Sequence, residues 1–181
     1  NMLKEWKTLS VKNLLTNKIF TVKEEIVESP KKRTSHPVWS LEVSEWVNII
    51  PITSDNKVVL VNQYRFGSKK MSLEIPGGMV DPGEDPKIAS VRELYEETGY
   101  ESKEVIKLGK VLPNPALMGN YAHTFLALNA QRTGLQKLDG MEDIEIVEIP
   151  IEDIPKLIES GKIEHSIVIS AFYLLERFNK N

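Results

Sequence analysis

The run from Gly78 to Tyr100 constrains this chain more than any other part of it. It follows Pro76-Gly77, passes through Glu84-Asp85-Pro86, and closes on Arg92-Glu93-Leu94-Tyr95-Glu96-Glu97-Thr98-Gly99-Tyr100. Asp85 offers a side-chain acceptor at an N-cap, and Pro86 suits the first helical position. Gly99 suits the stop, so a helix is predicted between them. At 100° per residue Ile88, Val91, Leu94, Tyr95 and Thr98 fall on one stripe, predicted to face the core. Glu93, Glu96 and Glu97 cluster opposite that stripe. Glu93 and Glu97 form an i,i+4 like-charge pair with no lysine on the face to offset it, which costs an isolated helix some stability. One reading of this face is a solvated outer surface. The other is a set of hard oxygen donors suited to Mg²⁺ or Mn²⁺, and the clustering beside a glycine-rich loop favours the second.

Around this run the chain alternates short strand patterns with two further helices. Residues 19–29 and 36–47 alternate apolar and polar residues, joined by the polar turn Pro30-Lys31-Lys32-Arg33. Ile49–Ile52 and Val58–Tyr64 flank Ser54-Asp55-Asn56-Lys57, a hairpin signal. Further strands are predicted at 72–75, 104–112, 121–129 and 143–149. Helices are predicted at about 151–160, stopped by Gly161, and at 165–178, with Ile167, Ala171, Leu174, Leu175 and Phe178 as the apolar stripe. Strands and helices mix without regular alternation, which argues against a doubly wound parallel sheet.

Composition narrows the function classes. The chain has 181 residues with 41% hydrophobic and 27% charged side chains, enough for a full core in one domain, or in a domain with a small appendage. It lacks cysteine, which excludes disulfides, a thiolate zinc site and a cysteine nucleophile. A net charge of −3 gives no polyanion-binding surface, so no nucleic-acid partner is expected. No membrane-spanning run or signal-peptide pattern is present, so a cytoplasmic protein without membrane association is expected. Asn1 ahead of Met2 is read as an addition to the chain. His36, His123 and His165 have no ligand spacing among them and are read as structural.

Gly78, Glu84 and the Arg92–Tyr100 run follow G-x5-E-x7-R-E-U-x-E-E-x-G-U, where U is a bulky apolar residue. With each residue type at about 5–10%, these fixed positions recur by chance on the order of once in 10⁸ windows. The segment resembles the Nudix box, departing from it only softly at Tyr100, where the family usually has an aliphatic residue. Gln63-Tyr64-Arg65, Leu73-Glu74-Ile75-Pro76-Gly77-Gly78, Pro115 and the Glu142-Asp143-Ile144 … Gly161-Lys162-Ile163 layout resemble the ADP-ribose pyrophosphatase branch, with Gly77 in place of the usual alanine.

The resemblance implies an α+β fold, a mixed α/β/α sandwich, with an N-terminal β-strand extension. It divides the chain into residues 1–45, a strand meander that dimerises, and residues 46–181, the catalytic domain. It implies Mg²⁺-dependent cleavage of a nucleoside diphosphate linked to another moiety, most specifically ADP-ribose to AMP and ribose 5-phosphate. A nucleotide sugar, a dinucleotide or a nucleoside triphosphate is the alternative substrate, and a non-catalytic nucleotide-sensing domain the alternative of another class. Glu93, Glu96 and Glu97 match the metal-holding positions, Glu84 an outer metal position, and Gly77 a metal-binding backbone carbonyl. Arg92 matches the arginine that orients the glutamates. Arg65, Glu74, Trp46 and Pro115 are the substrate-binding candidates. The catalytic base of the branch comes from an acidic loop; Glu142 is the candidate here, with Asp139 behind it and Gly140 where some members carry glutamate. The apolar residues of the N-terminal segment need a surface to cover, and the resemblance points to a homodimer partner.

Overall fold

The computed structural model describes residues 3–180, so Asn1 lies outside the described residues. The chain divides into two compact units, the first comprising Asn1–Ser44 with Leu112–Asn120, the second Glu45–Val111 with Tyr121–Asn181.

In the first unit β1 (Lys7–Thr16), β2 (Phe20–Glu28) and β3 (Ser35–Val43) form an antiparallel sheet in that order. The β2–β3 register runs without a break from Phe20↔Val43 to Glu28↔Ser35. Arg33, at φ 58°, closes the predicted polar turn by donating its N–H to the Ser29 carbonyl at 2.9 Å. The pattern reading found β2 and β3 but not β1, because no residue of β1 is buried and burial is what imposes alternation. The Leu112–Asn120 segment is tied to β3 by Leu41 N–H donating to the Leu117 carbonyl at 2.8 Å.

The second unit contains β4 (Trp46–Pro51), β5 (Lys57–Arg65), β6 (Lys70–Glu74), β7 (Gly77–Met79), α1 (Pro86–Thr98), β8 (Tyr100–Glu101), β9 (Glu104–Val111), β10 (Ala122–Leu128), β11 (Gln131–Arg132) and β12 (Ile144–Pro150). A 3₁₀ turn (Ile151–Asp153), α2 (Ile154–Glu159) and α3 (Ser166–Asn179) complete it. One sheet has the order β7-β4-β10-β9, with β4 and β10 parallel and the other pairs antiparallel; a second has the order β12-β5-β6. The predicted turn between β4 and β5 forms, with Thr53 N–H on the Lys57 carbonyl at 2.9 Å. The strands then diverge into different sheets after the single bridge Ile52↔Val58, so this is not a hairpin.

The sheets are covered from two sides, giving the expected mixed α/β/α sandwich. Val47, Ile49, Val59, Phe125 and Leu94 form one apolar cluster under α1. Ile50, Leu60, Leu126, Val168, Ala171, Phe172 and Leu175 form the other under α3. On α3 the buried stripe is Val168, Ala171, Phe172 and Leu175; the predicted Phe178 lies in the last turn and is exposed. Among the described residues no helix is long and apolar enough to cross a membrane.

Candidate active site

The box helix is capped as the sequence predicts. Asp85 accepts from Lys87 N–H at 2.8 Å, and Gly99 adopts φ 70°, its N–H on the Tyr95 carbonyl. Its orientation differs in part from the predicted one. Ala89, Ser90, Leu94, Glu97 and Thr98 are buried, whereas Ile88 is 62% exposed and Val91 is also exposed. Of the predicted stripe, Leu94 and Thr98 are buried and Tyr95 is half-buried, so the core-facing side is right at those positions and wrong at Ile88 and Val91. The small residues Ala89 and Ser90 let the helix approach β4 and β7, and its acidic edge turns inward with them. Glu97 is 3% exposed and Glu93 is mostly buried.

The loop leading into the helix is built around these carboxylates. Gly77 and Gly78 pair in β7 with Asn48 and Val47 of β4. A Cβ on Gly77 would run into the Val47 carbonyl oxygen, and one on Gly78 would sit 2.5 Å from Glu93 Oε1. Gly77 donates its N–H to Glu97 Oε2 at 2.9 Å. The resemblance assigned Gly77 through its carbonyl; the contact observed is through its N–H.

Arg92 is the hub of the remaining acids. Its Nε and Nη2 hold Glu84 at 3.0 and 2.9 Å, and its Nη1 holds Glu93 at 2.8 Å and Glu96 at 3.0 Å. Nη2 also donates to the Met79 carbonyl at 3.1 Å, so all five guanidinium N–H donors are in use. The paired Glu84 raises the pKa of Arg92, and Arg92 holds that of Glu84 below its ordinary value. Among the described residues no group of three or more histidine, aspartate or glutamate side chains is arranged to hold a metal ion.

Glu97 stands apart from that network. Burial pushes its pKa up to about 8, aided by the charges of Glu93 and Glu142 and opposed by the Gly77 N–H. Burial also raises Glu93, against the pull of Arg92. A cation beside such carboxylates would favour their charged form.

Arg65 and Glu74, on paired strands, form a bidentate bridge at 2.8 and 2.7 Å, with Glu74 2% exposed. Burial works against ionisation of Glu74, yet Arg65 holds its pKa below the usual value. The electrostatic influence of Glu97 and Glu142 on Arg65 brings all three into one neighbourhood. His165, read as structural from sequence, belongs there too. Its pKa is lowered by burial, it senses Glu74 and Arg65, and its Nδ1 is buried without a partner. A lone histidine ahead of a helix gave no signal of this.

Glu142 is exposed and accepts from Asp139 N–H at 2.9 Å, while its own N–H donates to the Asp139 carbonyl. Trp46 is half-buried at the start of β4, between Met79 and Ala122. Pro115 is exposed in the Leu112–Asn120 segment of the first unit.

Known proteins supply the family. Residues 45–172 match the model of the NUDIX domain. The chain is 31% identical to the ADP-ribose pyrophosphatase of Bacillus subtilis (strain 168), over 88% of this chain and 86% of that one. It is 29% identical to the methanol dehydrogenase activator of Bacillus methanolicus, over 95% and 93%. Among solved structures, one described as an ADP compounds hydrolase superposes with a TM-score of 0.87 at 24% identity, covering 99% of this chain and 97% of that one, a likeness of fold. The matched domain, spanning the box helix and both sheets, and the relatives aligned over most of their length establish that the chain belongs to the Nudix family, as a hydrolase related to the ADP-ribose and ADP-compound pyrophosphatases.

Proposed function

We propose that this hydrolase cleaves the pyrophosphate of ADP-ribose to AMP and ribose 5-phosphate, with Mg²⁺ as cofactor and Mn²⁺ as its substitute. The observation that carries this reading is Glu97, a buried carboxylate with a single N–H partner and with Glu93 near enough to raise its pKa further. The donors at hand are all oxygens, which suits a hard divalent cation. Glu93 and Glu97 would be its direct ligands, with Glu96, Glu84 and the Gly77 carbonyl as the remaining candidates. Bound there, the cation would neutralise phosphate oxygens and lower the pKa of the attacking water.

The chain's own residues do the rest. Arg92 holds Glu84, Glu93 and Glu96 in fixed relation. Arg65, kept rigid by Glu74, presents a planar cation to a diphosphate. Glu142 takes the proton of the water that attacks phosphorus. Trp46 stacks on the adenine. ADP-ribose in particular is supported by the Gln63-Tyr64-Arg65 and Leu73–Gly78 motifs and by the relative named for that substrate.

The protein works as a cytoplasmic homodimer on this small molecule, without a nucleic-acid or membrane partner. Support for the dimer comes from Trp6, Leu9, Val11, Leu14 and Leu15, all exposed on or beside β1, which a second copy would cover. A panel of ADP-ribose, nucleotide sugars, NADH and nucleoside triphosphates, assayed with Mg²⁺, tests the reading. ADP-ribose is expected to have the highest kcat/KM, and preferential turnover of triphosphates would overturn it. Tight nucleotide binding with no turnover of any compound would instead make this a sensing domain.

A further inference from the structure

The carbonyls in the last turn of α1 need partners once the helix ends. Gly99 N–H serves the Tyr95 carbonyl and Lys137 N–H the Glu96 carbonyl, each at 2.8 Å. The Glu97 carbonyl is served by a side chain, Gln136 Nε2, also at 2.8 Å. The same Nε2 reaches the Ile144 carbonyl at 3.1 Å, so the two hydrogens of one amide go to two separate segments. Ile144 is buried at the start of β12 and is held in register with Gln63 of β5.

These two segments are the feet of one loop. Residues 137–143 leave from Gln136 and return at Ile144, and they carry Asp139 and Glu142. Asp139 and Glu142 bond to each other, which shapes the loop without anchoring it. Lys137 N–H anchors one foot only. The Gln136 amide joins both feet to the residue whose carboxylate lies at the centre of the site. The charge of Glu142 is in fact felt at Glu93 and Glu97, so the loop acid stands within electrostatic reach of the box.

We propose that Gln136 is a positioning residue for the hydrolysis: its amide fixes loop 137–143, and Glu142 with it, against the C-terminal turn of the box helix. This deepens the reading of Glu142 as the base and rests on it for the catalytic consequence. Misplacing a catalytic group by about 1 Å can cost about 10²-fold in rate. Without the amide the bridge from Gln136 to the Glu97 and Ile144 carbonyls is lost, while Lys137 N–H still holds the Glu96 carbonyl and the metal-holding residues on α1 stay where they are.

Gln136→Met keeps the length and shape of the side chain and removes both donors. We expect kcat on ADP-ribose, or on the best compound of the panel, to fall roughly 10–100-fold, with KM held within about threefold. In a Glu142→Gln background the same substitution is expected to cost nothing further, since a residue acting through Glu142 has nothing left to position. Hydrogen exchange of the Lys137 and Glu142 amides is expected to speed up at least about tenfold, while α1 amides stay protected. Unchanged kcat and exchange would overturn the proposal. So would a rate loss of full size in the Glu142→Gln background, the signature of a general structural defect. If Glu142→Gln alone leaves kcat intact, the base reading fails, and faster exchange with lowered kcat in Gln136→Met still supports the positioning of the loop. Gln136→Asn, whose shorter amide reaches one carbonyl at most, provides the same readouts if the Met variant does not fold.

Discussion

Replacing Glu97 with Gln is expected to make the metal-free protein more stable while destroying its activity. The folded-state pKa of Glu97 lies near 8, against 4.5 for an ordinary glutamate, with burial as the main cause. A group whose pKa is raised by folding binds more protons folded than unfolded between those two values, so its contribution to stability falls as pH rises. The penalty is absent near pH 4.5 and complete above about pH 8. At full size it would be about 5 kcal/mol; relaxation and water entry reduce it to about 2–3 kcal/mol. Gln removes the charge, and its amide oxygen retains the Gly77 N–H. For a chain of this length the gain corresponds to a rise in Tm of roughly 5–10 °C at pH 8, and to almost none at pH 5. Helix-surface repulsion alone, the sequence-level view of Glu97, gives only a few tenths of a kcal/mol. Thermal denaturation of both proteins in EDTA at pH 5 and pH 8 distinguishes the two. A variant no more stable than wild type at pH 8 would show that the buried charge of Glu97 costs the fold nothing.

Other substitutions probe neighbouring parts of the site. Glu93→Gln should lower kcat by several orders of magnitude with Tm maintained or raised; a stability loss with activity retained would return the acidic edge to a structural role. Gly78→Ala places a Cβ 2.5 Å from Glu93 Oε1 and should shift that flexible carboxylate, raising the Mg²⁺ concentration needed for half-maximal rate while moving Tm by no more than about 2 °C; an unchanged Mg²⁺ dependence would count against a metal role for Glu93. Glu142→Gln should depress kcat, spare Mn²⁺ binding and recover partly at high pH as the attacking water ionises without help. Sensitivity at Asp139 instead would move the base by one loop position.

Much of this molecule was legible from residue order, and the failures share a cause. Caps are local chemistry, so Asp85, Pro86, Gly99 and Gly161 marked their helix ends correctly. Strands β2, β5, β10 and β12 announced themselves through periodicity or apolar runs. The stripe on α1 is right at Leu94 and Thr98 and wrong at Ile88 and Val91, because an apolar stripe normally identifies the whole of the buried side. Here small residues and carboxylates occupy part of it, and Ile88 and Val91 are left outside. The separation of β4 from β5 was invisible because a turn motif reports its own geometry and nothing about which partners its strands find later. Arg92 was recognised as an organiser, but its exclusive use of all five donors required coordinates, as did the two-carbonyl reach of Gln136.

The buried edge of α1 is proposed to hold a divalent cation through Glu97. Titrating metal-free protein with Mn²⁺ at pH 8, and following free Mn²⁺ by electron paramagnetic resonance, tests it without substrate or turnover. Wild type is expected to bind Mn²⁺ at a site that Glu97→Gln weakens by about 100-fold, the effect of losing one anionic donor, worth about 2.7 kcal/mol. Equal Mn²⁺ binding by the two proteins would show that Glu97 is not a ligand of the cation.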